Sequence, residues 1–387
     1  MIKVLNAYTE EIDDVETAVL SLLEQLGPDK NLLKNSAALV HCYFEFIESG
    51  VVEELHKRLG IPTVGTTTTA LGVSGVIGDM MLSVTVLTSD DIRFSSGVSG
   101  AVHSGEIAKP VTDVYKEVTA GFAVKPALLL AFPPLLKGEG QGGDVFVAEL
   151  DKASGGDMPL FGTLPITNES GERMSVVIYE GKVYESSMAL LALYGDLKPE
   201  FYTVAVTEKS FQAKRAKITG AKLNIIETIN GIPVDKYLES IGLPPASVPY
   251  NIPLLLHEED GSKVFRTGLK VHDDGSLSIS GLMPKKAEIS FCSIDAGDVV
   301  ESTGNLLKSI MESNAAENRG VLIYACGSRF WILGPRWRDE LDSAASVIGM
   351  WVPCLFVYSG GEVFPSILEN GNVSNHLQNF SVIVCVL

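Results

Sequence analysis

Positive charge is scarce in this chain: 30 Lys and Arg stand against 48 Asp and Glu, for a formal net charge of −18. Phosphate contacts need a clustered positive face, so nucleic acid is not an expected ligand. The one basic cluster, Lys214, Arg215 and Lys217, is short and reads as a solvated linker. Cysteine is scarce too. The five residues, at 42, 292, 326, 354 and 385, are odd in number and never spaced C-x-x-C. That argues against a disulfide framework and a zinc site, and it fits a reducing cytoplasm. No apolar run approaches the roughly 18 residues of a membrane span; the longest, Pro126 to Leu136, is broken by Pro133 and Pro134. The start, MIKVLNAYTEEIDD, lacks the basic and apolar blocks of a signal peptide. No histidines fall at H-x-x-H or H-x-x-x-H spacing and no G-x-S-x-G elbow occurs, so neither a local metal motif nor that type of serine nucleophile is expected. Gly138, Gly140 and Gly143 satisfy G-x-G-x-x-G, but Pro133 to Lys137 separates them from the preceding strand. The tight phosphate-binding turn is then missing and the glycines read as a loop variation. No cofactor is expected.

What is present is an ordinary globular composition, 46% hydrophobic and 20% charged over 387 residues, too long for one core and suited to two domains. The order of elements recurs. Asp13 to Leu26 has helical spacing, Ala37 to Phe44 is a strand, Ile47 to Leu59 a helix, Ile61 to Thr69 a strand opened by Pro62, and Met80 to Thr88 a strand. The same order fits Val111 to Tyr194, with Pro159 and with closing strands at Ser175 to Tyr179 and Val183 to Tyr194, and Asp298 to the C-terminus, with Pro353. Pro62 and Pro159 stand 97 positions apart, and Pro159 and Pro353 twice that. The spacing asks for another copy near Pro253, which opens an apolar run there. Four degenerate helix-strand-helix-strand-strand copies, two per domain, predict an α/β (α+β) fold of mixed sheets flanked by helices. The joint between domains is expected near 208–220.

The last copy carries the candidate site. A buried strand ends at Cys326-Gly327-Ser328-Arg329, and the next, from Pro353, breaks at Ser359-Gly360-Gly361-Glu362 before a final apolar run from Phe380. Ligands of open α/β sheets collect at such strand ends. Arg329 can fork onto a ligand carboxylate and Glu362 can take an ammonium, which together suit an amino acid; alternatively the two pair with each other. Asn379, donor and acceptor at once, is a third contact or a brace for the glycine turn. Cys326 is a nucleophile if Arg329 lowers its pKa, but a cysteine ending an apolar strand is more often a core residue.

Taken together, these phrases resemble the FIST family of paired N- and C-terminal sensory domains. The N-terminal half is matched by residues 1–218, through Gly65-Thr66-Thr67-Thr68 and Gly162 to Gly195. The C-terminal half is matched by residues 219–387, through Leu223 to Gly231, Arg266, Cys326-Gly327-Ser328-Arg329, Gly360-Gly361-Glu362, and Asn379 with Ser381. The first copy has Thr69 and Ala70 where the family carries Gly-Glu, and Gln378 stands where it has histidine. The resemblance implies sensing of a small ligand such as an amino acid and relay to an effector, which here must be a separate protein. The expectation is thus a cytoplasmic sensor of an amino acid or small carboxylate without catalysis of its own, its contacts being Arg329, Glu362, Gly360, Gly361, Ser359, Asn379 and Cys326. The alternatives are an enzyme using Cys326 or a carboxylate in the same cleft, and an interaction scaffold.

Overall fold

Three segments, Ala37 to Cys42, Leu128 to Phe132 and Val321 to Cys326, are apolar on both faces of a strand, and each lies inside its own sheet. In a computed structural model that describes all residues except 1, 103–105, 137–141, 168–174, 207–209, 211–214, 244–252, 259–261, 285–286, 314 and 317–318, each sheet has six strands joined in the same order. The first unit runs β1 (Lys3–Thr9), α1 (Val15–Leu26), α2 (Pro28–Asn31), β2 (Asn35–Cys42), α3 (Glu45–Glu48), α4 (Val51–Leu59), β3 (Thr63–Thr67), the hairpin β4 (Leu71–Val73) and β5 (Val76–Gly78), and β6 (Leu82–Ser89). The second runs β7 (Arg93–Val98), α5 (Ala108–Thr119), β8 (Leu128–Phe132), α6 (Gly143–Ser154), β9 (Leu160–Thr163), the hairpin β10 (Val177–Tyr179) and β11 (Lys182–Tyr184), and β12 (Ala189–Tyr194). The third opens with β13 (Glu200–Val204). After it comes an insertion made of β14 (Ala216–Lys222), β15 (Ile225–Ile229), β16 (Ile232–Pro233), α7 (Val234–Ser240), β17 (Pro253–His257), β18 (Lys263–Val271), β19 (Leu277–Ile279) and β20 (Glu288–Phe291). The unit then resumes with α8 (Ala296–Glu312), β21 (Val321–Cys326), α9 (Gly327–Leu333), α10 (Arg338–Ile348), β22 (Cys354–Ser359), the hairpin β23 (Glu362–Ile367) and β24 (Val373–Gln378), and β25 (Val382–Val386).

Each unit lends its hairpin to a neighbour. The sheets read β1-β6-β2-β3-β10-β11, β7-β12-β8-β9-β23-β24 and β13-β25-β21-β22-β4-β5, a cyclic exchange. In each sheet the third and fourth strands are the parallel pair: β2 with β3, β8 with β9, β21 with β22. The fold is mixed α/β, as expected. The recurrence, however, is seen three times. At Pro253 the insertion forms a fourth sheet that is antiparallel throughout and closes on itself through a β14–β15 pairing, so the proline spacing does not mark a fourth copy. Pro62, Pro159 and Pro353 do share one role. Each carbonyl accepts from the residue at which the parallel register begins on the partner strand: Ala38, Leu129 and Val321.

Period-two alternation explains the layering. Leu39, Leu130 and Tyr324 face a common core between the three sheets. Val40, Leu129 and Ile323 face outward under α1 and α4, α5 and α6, and α8 and α10 respectively. The helix boundaries follow their caps. Asp14 accepts from Thr17 N at the start of α1, Gly27 closes that helix at φ 54°, and Asp295 with Asp298 forms a capping box on α8. The single helix expected over Ile47 to Leu59 is two, broken at Gly50. The strand expected over Val183 to Tyr194 is likewise two. Within the expected linker, Arg215 pairs with Glu288 at 3.2 Å and β14 begins at Ala216; Lys214, Gly138 and Gly140 lie outside the described residues. Among the described residues no helix is long and apolar enough to cross a membrane.

Candidate functional site

The carboxyl ends of β21 and β22 lie side by side, with Cys326 in register with Ser359. Two backbone features draw the surrounding chain in. A Cβ on Gly360 would stand 2.5 Å from Pro165 O, so only glycine admits the strand-end segment of the second unit, where Gly360 N donates to Leu164 O at 3.0 Å and Leu164 N to Gly361 O at 2.9 Å. Gly361 itself is held at φ 153°, a conformation that favours glycine. Ile166 N then reaches Thr67 O at 3.2 Å. The strand ends of all three units therefore meet here.

Glu362 is the chemical centre. It opens β23 between Thr163 of β9 and Gln378 of β24 and is 0% exposed. Its carboxylate accepts from Ser359 Oγ at 2.7 Å and Ser381 Oγ at 3.0 Å, and among the described residues no salt bridge reaches it. Burial pushes its pKa up to about 8, against the smaller opposing pulls of the two serine hydroxyls and of the Arg329 charge. At neutral pH it is therefore largely an uncharged acid. Leu71 and Val177 open the corresponding hairpins of the other units, so the carboxyl group belongs to the third unit alone.

Around it stand Cys326, Ser328 and Asn379. The Cys326 thiol donates to Ser328 Oγ at 3.5 Å, and Ser328 Oγ donates to Thr267 Oγ1 of the insertion at 3.4 Å. Burial, and then the Glu362 carboxyl, raise the Cys326 pKa to about 12. A thiol so held is not the thiolate that nucleophilic catalysis needs. Asn379 N donates to Phe265 O at 3.1 Å, while its side-chain Oδ1 is buried and accepts no hydrogen bond. Between Asn379 and Ser381, the buried Phe380 is held at φ 64°, an uncommon conformation for a bulky residue of the kind found at ligand clamps.

Arg329 is brought to the neighbourhood but is not available to a ligand. Gly327-Ser328-Arg329 opens α9 rather than a loop and carries Arg329 to the outer side of its sheet. There it meets Glu340 of α10, both 0% exposed, at 2.7 Å. Its remaining N–H groups go to Ala205 O at 2.5 Å, Phe380 O at 3.3 Å, Val299 O at 2.9 Å and Thr303 Oγ1 at 2.8 Å. Glu340 also accepts from Thr303 Oγ1 at 2.5 Å and Tyr358 OH at 2.7 Å. Both sequence-based alternatives are thereby corrected: Arg329 neither presents a fork for a carboxylate nor pairs with Glu362, because Glu340 and backbone carbonyls saturate it. Glu340 itself was missed. Its signal was a carboxylate on the buried face of α10, in step with Ala344 and Ile348.

Gln378 also finds a role. Its side-chain amide takes Phe265 N at 2.8 Å and gives to Lys263 O at 3.0 Å, pinning β18 of the insertion to β24. Arg266 reinforces that contact through Leu377 O at 2.6 Å and Asp144 Oδ1 at 2.6 Å. Among the described residues no cluster of three or more His, Cys, Asp and Glu side chains is placed to hold a metal ion.

Two family models match this chain, the FIST N domain over residues 36–232 and the FIST C domain over residues 233–365. The chain belongs to the FIST family. FIST domains are sensory domains that bind small ligands, so the buried polar centre at Glu362 lies in a protein of a ligand-binding class. No curated protein matches the FIST chain. Solved structures similar to it include a cyanuric acid hydrolase from A. caulinodans, at 11% identity and a TM-score of 0.39, covering 100% of this chain and 98% of that one. A second cyanuric acid hydrolase structure is similar at 11% identity and a TM-score of 0.37, with the same coverage.

Proposed function

We propose that this FIST chain is a sensor that takes a small ligand bearing an amine or other N–H donors, an amino acid among them, at the Glu362 centre. The observation that carries this is a fully buried carboxyl group with two serine donors and no salt bridge among the described residues, Arg329 acting on it only through its field while paired with Glu340. A ligand ammonium would supply that missing charge, return Glu362 to its ionised form and offset the desolvation that now raises its pKa. The unpartnered Asn379 Oδ1 is an acceptor for a second N–H. Ser359, Gly360, Gly361 and Cys326 would wall the site, and a ligand would reach it only by moving the side chains that now bury these residues. With Arg329 engaged by Glu340, a carboxylate lacking an amine has no free arginine to meet, so the amine end of the ligand is the end recognised.

With it go a cytoplasmic setting suited to five unpaired buried cysteines and output through a separate effector; the division expected at 218/219 falls inside β14 (Ala216–Lys222) and is not carried into the proposal. The test is a thermal-shift screen of amino acids, amines and simple carboxylic acids against the full chain and against Glu362→Gln. A ligand at a hundred times its Kd stabilises by about 2.7 kcal/mol. Amine-bearing ligands should shift the wild-type chain and lose most of that shift in the variant. Shifts that survive Glu362→Gln unchanged, or that come only from carboxylic acids without an amine, defeat the proposal.

A further inference from the structure

The three units make three seams, each where the first strand of one sheet faces the hairpin side of the next. Two seams are laced by side chains. In the first, Asn6 of β1 donates to Ser74 Oγ at 2.9 Å and Cys354 O at 3.2 Å. In the second, Tyr179 OH donates to Ser96 O of β7 at 3.4 Å. At the third, between β13 and the β23–β24 hairpin, no such bond occurs among the described residues. The seam opens instead into a cleft of about 840 Å³ floored by Val204, Val206, Leu255 and Phe265 and rimmed by Lys263 and Glu369. A smaller cavity of about 400 Å³, lined by Glu200, Phe201 and Tyr202, continues it on the far side of Ile367, which lines both. Between them the two cavities are lined by all five residues of β13, roughly 16 Å at strand rise.

β13 is the outermost strand of its sheet, pairing only with β25 among the described residues. Its outer edge therefore presents N–H and C=O groups with no strand to receive them, a standing template for an added strand. The shape fits that occupant: long, narrow, with a backbone edge on one wall, buried apolar residues on the floor, and Ile367, 56% exposed, on the opposite lip. A compact small molecule would fill one end of the trough and leave the edge open.

We propose that this third seam is a docking groove for an extended peptide segment of a partner protein, which adds as a strand to β13 and sets apolar side chains at alternate positions against Val204, Val206 and Phe265. Main-chain bonds would supply affinity and the apolar floor would supply specificity. The groove adjoins the Glu362 centre through Phe265, whose carbonyl accepts from Asn379 N, but it uses neither Glu362 nor Asn379 Oδ1 and stands or falls independently of them.

The test uses the full chain and displayed random twelve-residue peptides as the probe. Selected peptides should carry apolar residues at alternate positions and protect the amides of residues 200–206 from hydrogen exchange. They should weaken at least tenfold on Ile367→Glu, a change on an exposed side chain that leaves folding intact. N-methylation of alternate peptide nitrogens should abolish binding, whereas capture by side chains alone would survive it. Peptides that bind unaffected by N-methylation or by Ile367→Glu, peptides that protect amides elsewhere, or a screen that yields no binder overturn the proposal. So does a fragment screen that fills the cleft when no peptide does, which would assign it to small molecules.

Discussion

Glu362→Gln should change how the stability of this protein depends on pH. The carboxyl group has an ordinary pKa of 4.5 when unfolded and about 8 when folded, because burial disfavours its charged form. A raised pKa means the folded state holds its proton more tightly. The stabilisation is therefore complete below pH 4.5 and is lost as pH rises through 8. The rise from 4.5 to about 8 corresponds to at most about 5 kcal/mol between the two limits, and internal relaxation should reduce the measured figure. The side-chain amide that this substitution introduces cannot titrate, and the two serine hydroxyls can rotate to accept from it. The stability of the variant minus that of the wild type should accordingly rise by several kcal/mol from pH 5 to pH 9. Urea unfolding of both proteins at half-unit pH steps gives that difference directly, and contributions common to both, His41 included, cancel from it. A difference flat to within about 0.5 kcal/mol, or falling with pH, would refute the assignment of Glu362 as a buried, unpaired acid.

Three further outcomes are expected. Arg329→Ala should destabilise the chain by about 3–5 kcal/mol, because it strands Glu340 in the core, while Arg329→Met combined with Glu340→Leu should recover much of that loss; denaturant midpoints separate the two. His41, fully buried against Thr66, Phe132 and Tyr324, has its pKa lowered by burial from 6.5 to about 3. The stability it confers is present above pH 6.5 and is lost as pH falls toward 3, so His41→Phe should flatten the acid limb of a Tm–pH curve. Asp144→Ala removes the nearly buried partner of Arg266 and its second bond to Leu282 N; limited proteolysis should then cut within 215–291 faster than in the wild type.

Much of the fold was legible. Continuous apolar runs such as Ala37 to Cys42 and Val321 to Cys326, and capped helices such as α1 and α8, carry their own local signals, and those elements stand where the residues placed them. Missed were β1, β7 and β13, outer strands with polar residues on one side, and the hairpin β4–β5, whose strands of three residues are too short for any period to show. At the site, the glycine turn and Glu362 could be read from Gly360-Gly361-Glu362 and from the apolar runs beside it. The partner of Arg329 could not, because Arg329 and Glu340 are joined by how α9 and α10 fold over the sheet.

By itself, then, the sequence determined the strand-end prolines, the alternation that makes each sheet two-faced, and the family. Those depend on neighbours in the chain, whose backbone geometry is fixed within a few residues. Only the tertiary structure decided that the units number three and exchange hairpins, that Pro253 begins a closed antiparallel insertion, and that the two charged residues nominated together have different fates. Hairpin exchange and the hydrogen bonds that a buried charge needs join residues far apart in sequence, Glu362 with Thr163 and the Arg329 guanidinium with Ala205 O. Such pairings depend on which surfaces remain to be covered once the local elements have formed, and no local pattern records that.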